Sequence, residues 1–437
     1  MNLSIKPLST TVINNTVHIG GISCHSLAQK YGTPLYIVDE ITLRRNCQQF
    51  TNVFKKHYPN HQILYAGKAG LNTGILTILN NENVGVDVVS LGELKTALNS
   101  RIEPNNILLH GNNKSDEEIK VAIEHGIRIV IDSYDELNQL IKLGKKTKAE
   151  INVLIRINPE IEAHTHEFIQ TGQKNSKFGV SQEDILPMLK SIKKEKQINF
   201  LGIHSHIGSQ IFDSKPYLAL VKKMVQWIQT INTEVQMPIK QLNLGGGFGI
   251  RYVQSDSPED ISTLIKLMID TLINELNRYG LDHPTIIIEP GRSIIGNAGA
   301  TLYQVGHTKK AGDTNYLFID GGMADNIRPL LYQSEHVIEI ANNVEAPNQK
   351  NYTIAGKFCE SGDKIASNII LPEATKKDLL IVYGTGAYNY SMASNYNRYC
   401  KPAMILVNNK KAALLVKRET IDFLLLNDSN TVHYEPC

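Results

Sequence analysis

Short apolar runs alternate with polar or glycine-rich breaks along the first two thirds of the chain. The runs cover 62–66, 84–89, 106–110, 128–132, 151–157, 199–206, 241–244 and 285–289. Each is rich in β-branched or aliphatic residues and short enough for a strand buried on both faces. Between them apolar residues recur three or four positions apart, the spacing of an amphipathic helix. Tyr217, Leu220, Val221, Met224, Val225 and Ile228 make one such stripe. Another carries Ile261, Leu264, Ile265, Met268 and Leu272; it is expected to start after Ser257-Pro258, as N-cap and first helical position, and to stop at Gly280. Strands alternating with helices predict parallel pairing through right-handed crossovers. Eight such units predict an α/β fold built on a closed (β/α)8, TIM-like barrel.

The pattern changes after about Gly296. Strand-like runs at 316–319, 336–340, 352–355, 368–371, Leu379–Tyr383, 403–407 and 412–416 follow one another without long helices. They predict a second, C-terminal β-rich domain, a sandwich or barrel. Two early runs, Thr16–Ile19 and 35–38, read as strands that pair with that domain. The expected division is 1–35 for these N-terminal strands, 36–295 for the barrel and 296–437 for the β domain.

Composition narrows the function. A chain of 437 residues has length for both domains. A net charge of +2 gives no field to attract nucleic acid. The lysine clusters at Lys142, Lys145, Lys146 and Lys148, and at Lys190, Lys193, Lys194 and Lys196, carry few aromatics and read as solvated faces. No apolar run is long enough to span a membrane, and residues 1–16 lack the apolar centre of a signal peptide, so a cytoplasmic location is expected. Cys24, Cys47, Cys359, Cys400 and Cys437 are few, scattered and odd in number, which argues against a disulfide framework and against zinc. Cys47 falls on a helical apolar stripe and reads as core.

A barrel of this kind carries its chemistry at the C-terminal ends of its strands. The reactive side chains gather there: Lys68; Asp87 and Ser90; His110; Arg156; His204, His206 and Ser209; Gly245, Gly246, Gly247 and Gly249; Glu289, Gly291 and Arg292. Lys68 has small neighbours, and a lysine among cations or in low dielectric can form a Schiff base. Taken alone it reads as a surface lysine in a loop. The run Gly245-Gly246-Gly247-Phe248-Gly249 can cradle phosphate with its N–H groups, or can simply be a tight turn. It lacks dinucleotide spacing, but its place, with Gly291-Arg292 after the next strand, is the usual phosphate position of barrels. Glu289 ends an apolar strand and must be paired, either with Arg292 or with a protonated heterocyclic nitrogen. His204 and His206, two apart on a strand, are expected to share a face. A zinc pair lacks a third ligand at helpful spacing, so a single stacking or hydrogen-bonding histidine is favoured over a metal.

Several motifs in one order resemble the diaminopimelate decarboxylase family, relatives of the ornithine and arginine decarboxylases. They are Tyr65-Ala66-Gly67-Lys68, the segment Gly202-Ile203-His204-Ser205-His206-Ile207-Gly208-Ser209-Gln210, the triple glycine, Glu289-Pro290-Gly291-Arg292, and the segment from Asp320 through Arg328-Pro329. Cys359-Glu360-Ser361-Gly362-Asp363 and Gly386-Ala387-Tyr388 complete the set, and the resemblance runs from about Pro34 to Asn397. Glutamate after the cysteine is similar to the diaminopimelate branch; the polyamine enzymes tend to carry aspartate. Gly70 stands where the family often has asparagine, and Lys357 where it often has proline; the latter bears on the loop of Cys359.

The resemblance implies pyridoxal 5'-phosphate (PLP) held by Lys68 as a Schiff base. It implies a phosphate site from Gly246, Gly247, Gly291 and Arg292, next to Pro290, with hydroxyls from Ser209 and Tyr388. Glu289 would face the pyridine nitrogen, His206 would stack on the ring, and Asp87 and Arg156 would support them. Cys359 would be the proton donor; its acidic and glycine neighbours set it apart from a buried core cysteine. Arg292, Arg328, Tyr332, Glu360 and Tyr388 would hold the far end of meso-2,6-diaminopimelate, whose α-amino acid group needs a cationic fork and an acid. The implied reaction yields L-lysine and CO2, in a homodimer in which the Cys359 loop reaches the partner's site. Alternatives are an ornithine, lysine or arginine decarboxylase of the same fold, a racemase using a partner tyrosine where Cys359 lies, or a non-catalytic PLP carrier. Carriers resemble the barrel alone, so the long β domain speaks against the last.

Overall fold

The protein is described here by a computed structural model covering residues 4–161, 176–429, 431, 432 and 434. Eight parallel strands close a barrel in chain order: β1 (His61–Ala66), β2 (Gly85–Val88), β3 (Ile107–Leu109), β4 (Arg128–Ile131), β5 (Ile151–Arg156), β6 (Ile198–His204), β7 (Gln241–Asn243) and β8 (Thr285–Ile288), which pairs back onto β1. These are the eight runs read from the sequence. Those runs end one or two residues too late at seven of the eight strands, and the reason is structural. His110, Ile157 and Glu289 still donate their main-chain N–H across to Val88, His204 and Gly245 after the ladder has ended. The chain therefore leaves the barrel slowly, and polar residues at that edge are held by backbone bonds.

Leu64, Leu108, Val130, Leu154 and Ile287 form a buried cluster inside the barrel, with Leu201 against it. Bulky aliphatic residues from several strands fill the interior, as a closed barrel of this size requires. Its N-terminal end is closed by polar side chains. Arg128, at the start of β4, donates to Gln62 Oε1 at 2.7 Å, Gln241 Oε1 at 2.9 Å and the Asn105 carbonyl at 2.7 Å. Burial pushes its guanidinium down to about 10.

Both helices singled out in the sequence form, as Lys215–Glu234 and Ile261–Tyr279, and they bury the stripes described. Gly280 ends the second with φ +60°. Its start differs from the expectation. Asp260, not Ser257, is the N-cap: its carboxylate accepts from Ser262 N at 3.0 Å and Thr263 N at 3.1 Å. Glu259 is meanwhile held outside the helix, its N–H on the Phe212 carbonyl and its carboxylate on Ser214. Those tertiary bonds delay the helix beyond the Ser257-Pro258 signal.

Thr42–Asn297 forms one compact unit, and Lys6–Ile41 with Ala298–Cys437 forms a second. The second is β-rich. Its central strand, Gly299–Ala311, pairs with Leu35–Asp39 and Leu379–Tyr383 along its first half and with Thr314–Ile319 along its second. The sequence reading passed over this strand. Its first five residues are all buried and its last five mostly polar and exposed, so it shows no alternation. Leu35–Asp39 lies between Gly299–Ala311 and Ala403–Asn408, whereas Thr16–Ile19 belongs to a small three-stranded sheet with Thr11–Ile13 and Ile22–Ser23. Tyr303, Val305, Leu317, Ile319, Ile354 and Val382 are among the core residues of this unit.

Among the described residues no helix is long and apolar enough to cross a membrane. Cys24, Cys47, Cys359 and Cys400 are free thiols, Cys24 and Cys47 buried; Cys437 lies outside the described residues.

Candidate active site

One carboxylate organises the mouth of the barrel. Glu289, immediately after β8, is buried and accepts three hydrogen bonds: from His110 Nε2 at 2.7 Å, His204 Nε2 at 3.1 Å and Asn243 Nδ2 at 2.6 Å. His110 follows β3, His204 ends β6 and Asn243 ends β7. A carboxylate can only accept, so both imidazoles present Nε2–H to it. Burial drives both histidines down, His204 to about 4, which leaves them neutral. Burial alone would raise the carboxyl of Glu289. The hydrogen bonds donated by neutral His110 and His204 outweigh it, and the group is held well below the ordinary carboxylate range. Glu289 is therefore a buried, ionised acceptor. Its partners are these residues rather than Arg292, which donates to Tyr252 Oη at 2.6 Å and Ser209 Oγ at 3.0 Å.

Two sequence readings change here. His204 and His206 do not share a face: β6 ends at His204, and the turn after it sends His206 Nδ1 to the N–H of Gly246, at 3.2 Å. A third ligand-type group is also present, because His110, His204 and Glu289 converge with their donor atoms within 4.8 Å of one another. Those atoms are engaged in hydrogen bonds with each other. The roles of His110 and Asn243 were missed by sequence reasoning. The available signal was a histidine and an asparagine at the ends of apolar barrel strands.

Lys68 sits in the short turn Gly67–Ala69 directly after β1, backed by the hydroxyl of Tyr65 on the Gly70 carbonyl at 2.8 Å. Its charge is felt at three neighbours. Asp87, on β2, is pushed well up by burial and then by Glu289, with Lys68 opposing. Glu93 is raised by burial, against its bond from Val89 N and the charge of Lys68. His206 is held well below its usual value by burial and then by Lys68. Arg156 lies over the ring of Phe178 at 4.5 Å and beside Asp132 at 3.9 Å.

The glycine loop is built for close approach. Gly247 has φ +98°, and a Cβ there would lie 2.3 Å from the Gly208 carbonyl oxygen; a Cβ on Gly246 would lie 2.0 Å from that of Glu289. The N–H groups of Gly247 and Gly291 bond to none of the described residues. Ser209 and Arg292 stand joined beside them. Pro290 accepts from Ala66 N at 3.2 Å, which ties the exit of β8 to that of β1, two residues before Lys68. Two free N–H groups, that of Gly247 in a left-handed turn, with a hydroxyl and a guanidinium, make an anion cradle.

The second unit gathers the other named residues in two places. The guanidinium of Arg328 lies 5.1 Å from the ring centroid of Tyr332 and 5.4 Å from that of Tyr388. Tyr388 has φ +68°, a conformation that bulky residues rarely adopt and that clusters at functional sites. Cys359 and Glu360 are exposed on a tight loop whose Gly362 packs against Leu330, on the helix that begins at Arg328.

Residues 42–296 match the family model described as the pyridoxal binding domain of pyridoxal-dependent decarboxylases. A diaminopimelate decarboxylase of Bacillus subtilis is 43% identical over 416 residues, covering 94% of this chain and 95% of that protein. The crystal structure of M. jannaschii diaminopimelate decarboxylase in co-complex with L-lysine matches with a TM-score of 0.90 and 33% identity, over 97% of this chain and 98% of that one. A Vibrio vulnificus lysine/ornithine decarboxylase shares the fold at a TM-score of 0.74 and 22% identity, over 88% of this chain and 97% of that one. The anion cradle, the ionised Glu289 and Lys68 suit the phosphate, ring nitrogen and aldehyde of pyridoxal phosphate. The chain belongs to the diaminopimelate decarboxylase family of pyridoxal-dependent decarboxylases.

Proposed function

We propose that this protein removes CO2 from meso-2,6-diaminopimelate to give L-lysine, with Lys68 as the attachment point of pyridoxal phosphate. The observation that carries the reading is the ionised carboxylate of Glu289, buried among His110, His204 and Asn243. When bound, the cofactor supplies an electron sink for the carbon that loses its carboxylate. Glu289 can accept a hydrogen bond from a protonated ring nitrogen, and its low proton affinity keeps that proton on the ring. Gly246, Gly247, Gly291, Arg292, Ser209 and Tyr388 are assigned to the phosphate, with Pro290 shaping the turn. His206 is assigned to the ring face and Asp87 to the surroundings of Lys68.

Loss of CO2 breaks the Cα–carboxylate bond, and its electron pair must take up one proton at Cα. Cys359 is the proposed donor, its exposed thiol regenerated from solvent. Arg328, Tyr332, Tyr388 and Glu360 are assigned to the substrate's distal amino-acid group, which carries one carboxylate and one ammonium. A cation flanked by two aromatic rings suits the first and an exposed carboxylate the second.

The setting we propose is a cytoplasmic homodimer. Four free cysteines suit a reducing compartment. Leu330 and Leu331, each 43% exposed beside the Cys359 loop, suit a covered surface. Borohydride trapping with peptide mapping, together with CO2 release from meso-diaminopimelate, ornithine and lysine, tests the assignment. Label on Lys68 and preference for meso-diaminopimelate are expected; label elsewhere, or preference for ornithine, refutes it. Mixing inactive Lys68→Ala and Cys359→Ala proteins should restore about a quarter of the sites if each site takes its thiol from the partner. No recovery counts against sharing.

A further inference from the structure

The loop carrying Cys359 is gripped from two sides. On the near side Asp363 accepts from Phe358 N at 2.9 Å and Met323 N at 2.7 Å. On the far side, 38 residues along the chain, Asn397 Oδ1 accepts from the N–H of Cys359 at 3.0 Å. Tyr396 Oη donates to the Cys359 carbonyl at 3.4 Å. Phe358 meets Tyr399 edge-on at 5.0 Å and Tyr396 at 6.3 Å. Both main-chain polar groups of Cys359 are thus engaged by residues 396 and 397, while its thiol stays exposed.

Asn397 has φ +52° and ψ 28°, and Arg398 after it has φ +60°. Such a left-handed backbone disfavours most side chains, and asparagine is among those that tolerate it best. The segment is itself anchored. Asn395 Nδ2 donates to the Tyr399 carbonyl at 2.9 Å and to Glu419 Oε2 at 2.6 Å, and Lys401 N reaches the same oxygen at 2.8 Å. Asparagine at 397 answers two demands at once, a left-handed backbone and an acceptor oxygen aimed at the Cys359 N–H.

We propose that Asn397 is a positioning residue for the Cys359 thiol, an inference that rests on reading Cys359 as the proton donor. A proton donor acts only within hydrogen-bond reach of its target, and misplacement by an ångström costs up to about a hundredfold in rate. An exposed thiol on a short loop takes its position from its main chain, and Asn397 holds that main chain.

The test uses the holoenzyme and two variants. Asn397→Gly keeps the left-handed backbone and removes the acceptor; Asn397→Asp keeps both. Asn397→Gly should lower kcat about 5- to 20-fold with KM changed less than about twofold, consistent with loss of one anchoring bond plus some displacement. Asn397→Asp should recover kcat to within about threefold of the parent. The alkylation rate of Cys359 by iodoacetamide, read by peptide mapping apart from Cys400, should change at least about threefold in Asn397→Gly and stay near the parent value in Asn397→Asp. In a Cys359→Ser background, Asn397→Gly should alter kcat by less than about twofold. If it lowers kcat there as much as in the parent, or leaves alkylation unchanged, the positioning role is refuted and the role of Cys359 stands. If Cys359→Ser itself keeps full kcat, the proton-donor reading fails and this proposal with it. Should Asn397→Gly not fold, Tyr396→Phe removes only the hydroxyl on the Cys359 carbonyl and is read in the same way.

Discussion

Replacing His110 by leucine removes one donor from Glu289 and leaves the carboxylate buried with two. The lost contact is short, 2.7 Å, with both side chains only 7% exposed. A buried hydrogen bond to a charged group contributes about 1.5–3 kcal/mol. With that donor gone the carboxyl of Glu289 should rise toward the ordinary carboxylate range. The sign follows from linkage. Glu289 is held below its unfolded value, so its contribution is present above the unfolded carboxyl pKa and is lost as pH falls through the folded one. In His110→Leu that contribution shrinks and its loss is complete at a higher pH. At pH 7 thermal unfolding of the cofactor-free protein should fall by roughly 3–12 °C, at about 2–4 °C per kcal/mol for a unit of this size. The acid-unfolding midpoint should move upward, and the acidic limb of kcat with it. His110→Gln, whose amide nitrogen can reach nearly where Nε2 lies, should return most of both. An acid midpoint and melting temperature equal to the parent's in His110→Leu would sink the argument that this histidine keeps Glu289 ionised.

Gly247→Ala places a Cβ 2.3 Å from the Gly208 carbonyl at φ +98°, so pyridoxal phosphate affinity should drop at least about tenfold with little change in far-ultraviolet dichroism; cofactor titration by absorbance checks it. Lys114 is buried with its ammonium on Glu136 at 2.5 Å and on the carbonyls of Gly111 and Val130, so Lys114→Met should cost about 3–5 kcal/mol in denaturant unfolding by stranding Glu136. Adding Glu136→Leu should recover most of that loss. Arg328→Lys forfeits the planar contact with Tyr332 and Tyr388 and should raise KM for diaminopimelate about tenfold or more with a smaller change in kcat, measured by initial rates of CO2 release.

The barrel was legible because its signal is local and repeated. Strands buried on both faces read as unbroken apolar runs, and helical stripes such as Tyr217 to Ile228 mark the segments between them. Gly299–Ala311 escaped because half of it is buried on nearly every residue and half is exposed, so neither periodicity appears. The start of the Ile261 helix was misplaced because bonds from Glu259 to Phe212 and Ser214, more than forty residues away, override a local capping signal. The candidate site shows the same limit. Motifs name Lys68 and Glu289, but the partners of Glu289 lie 179, 85 and 46 residues away, at the ends of three other strands. Only closure of the barrel brings His110, His204 and Asn243 to that carboxylate.

The placement of Leu35–Asp39 has a consequence for the making of the protein. All five of its residues are buried in the finished fold, between a strand that begins at Gly299 and one that begins at Ala403. A ribosome adding about 5–20 residues per second needs roughly 13–53 s to travel from residue 35 to residue 299. Through that interval the emerging Leu-Tyr-Ile-Val segment has neither neighbour to pair with. Nascent chains of this protein should therefore depend on chaperone shielding, and slowing translation should increase the fraction that aggregates before release.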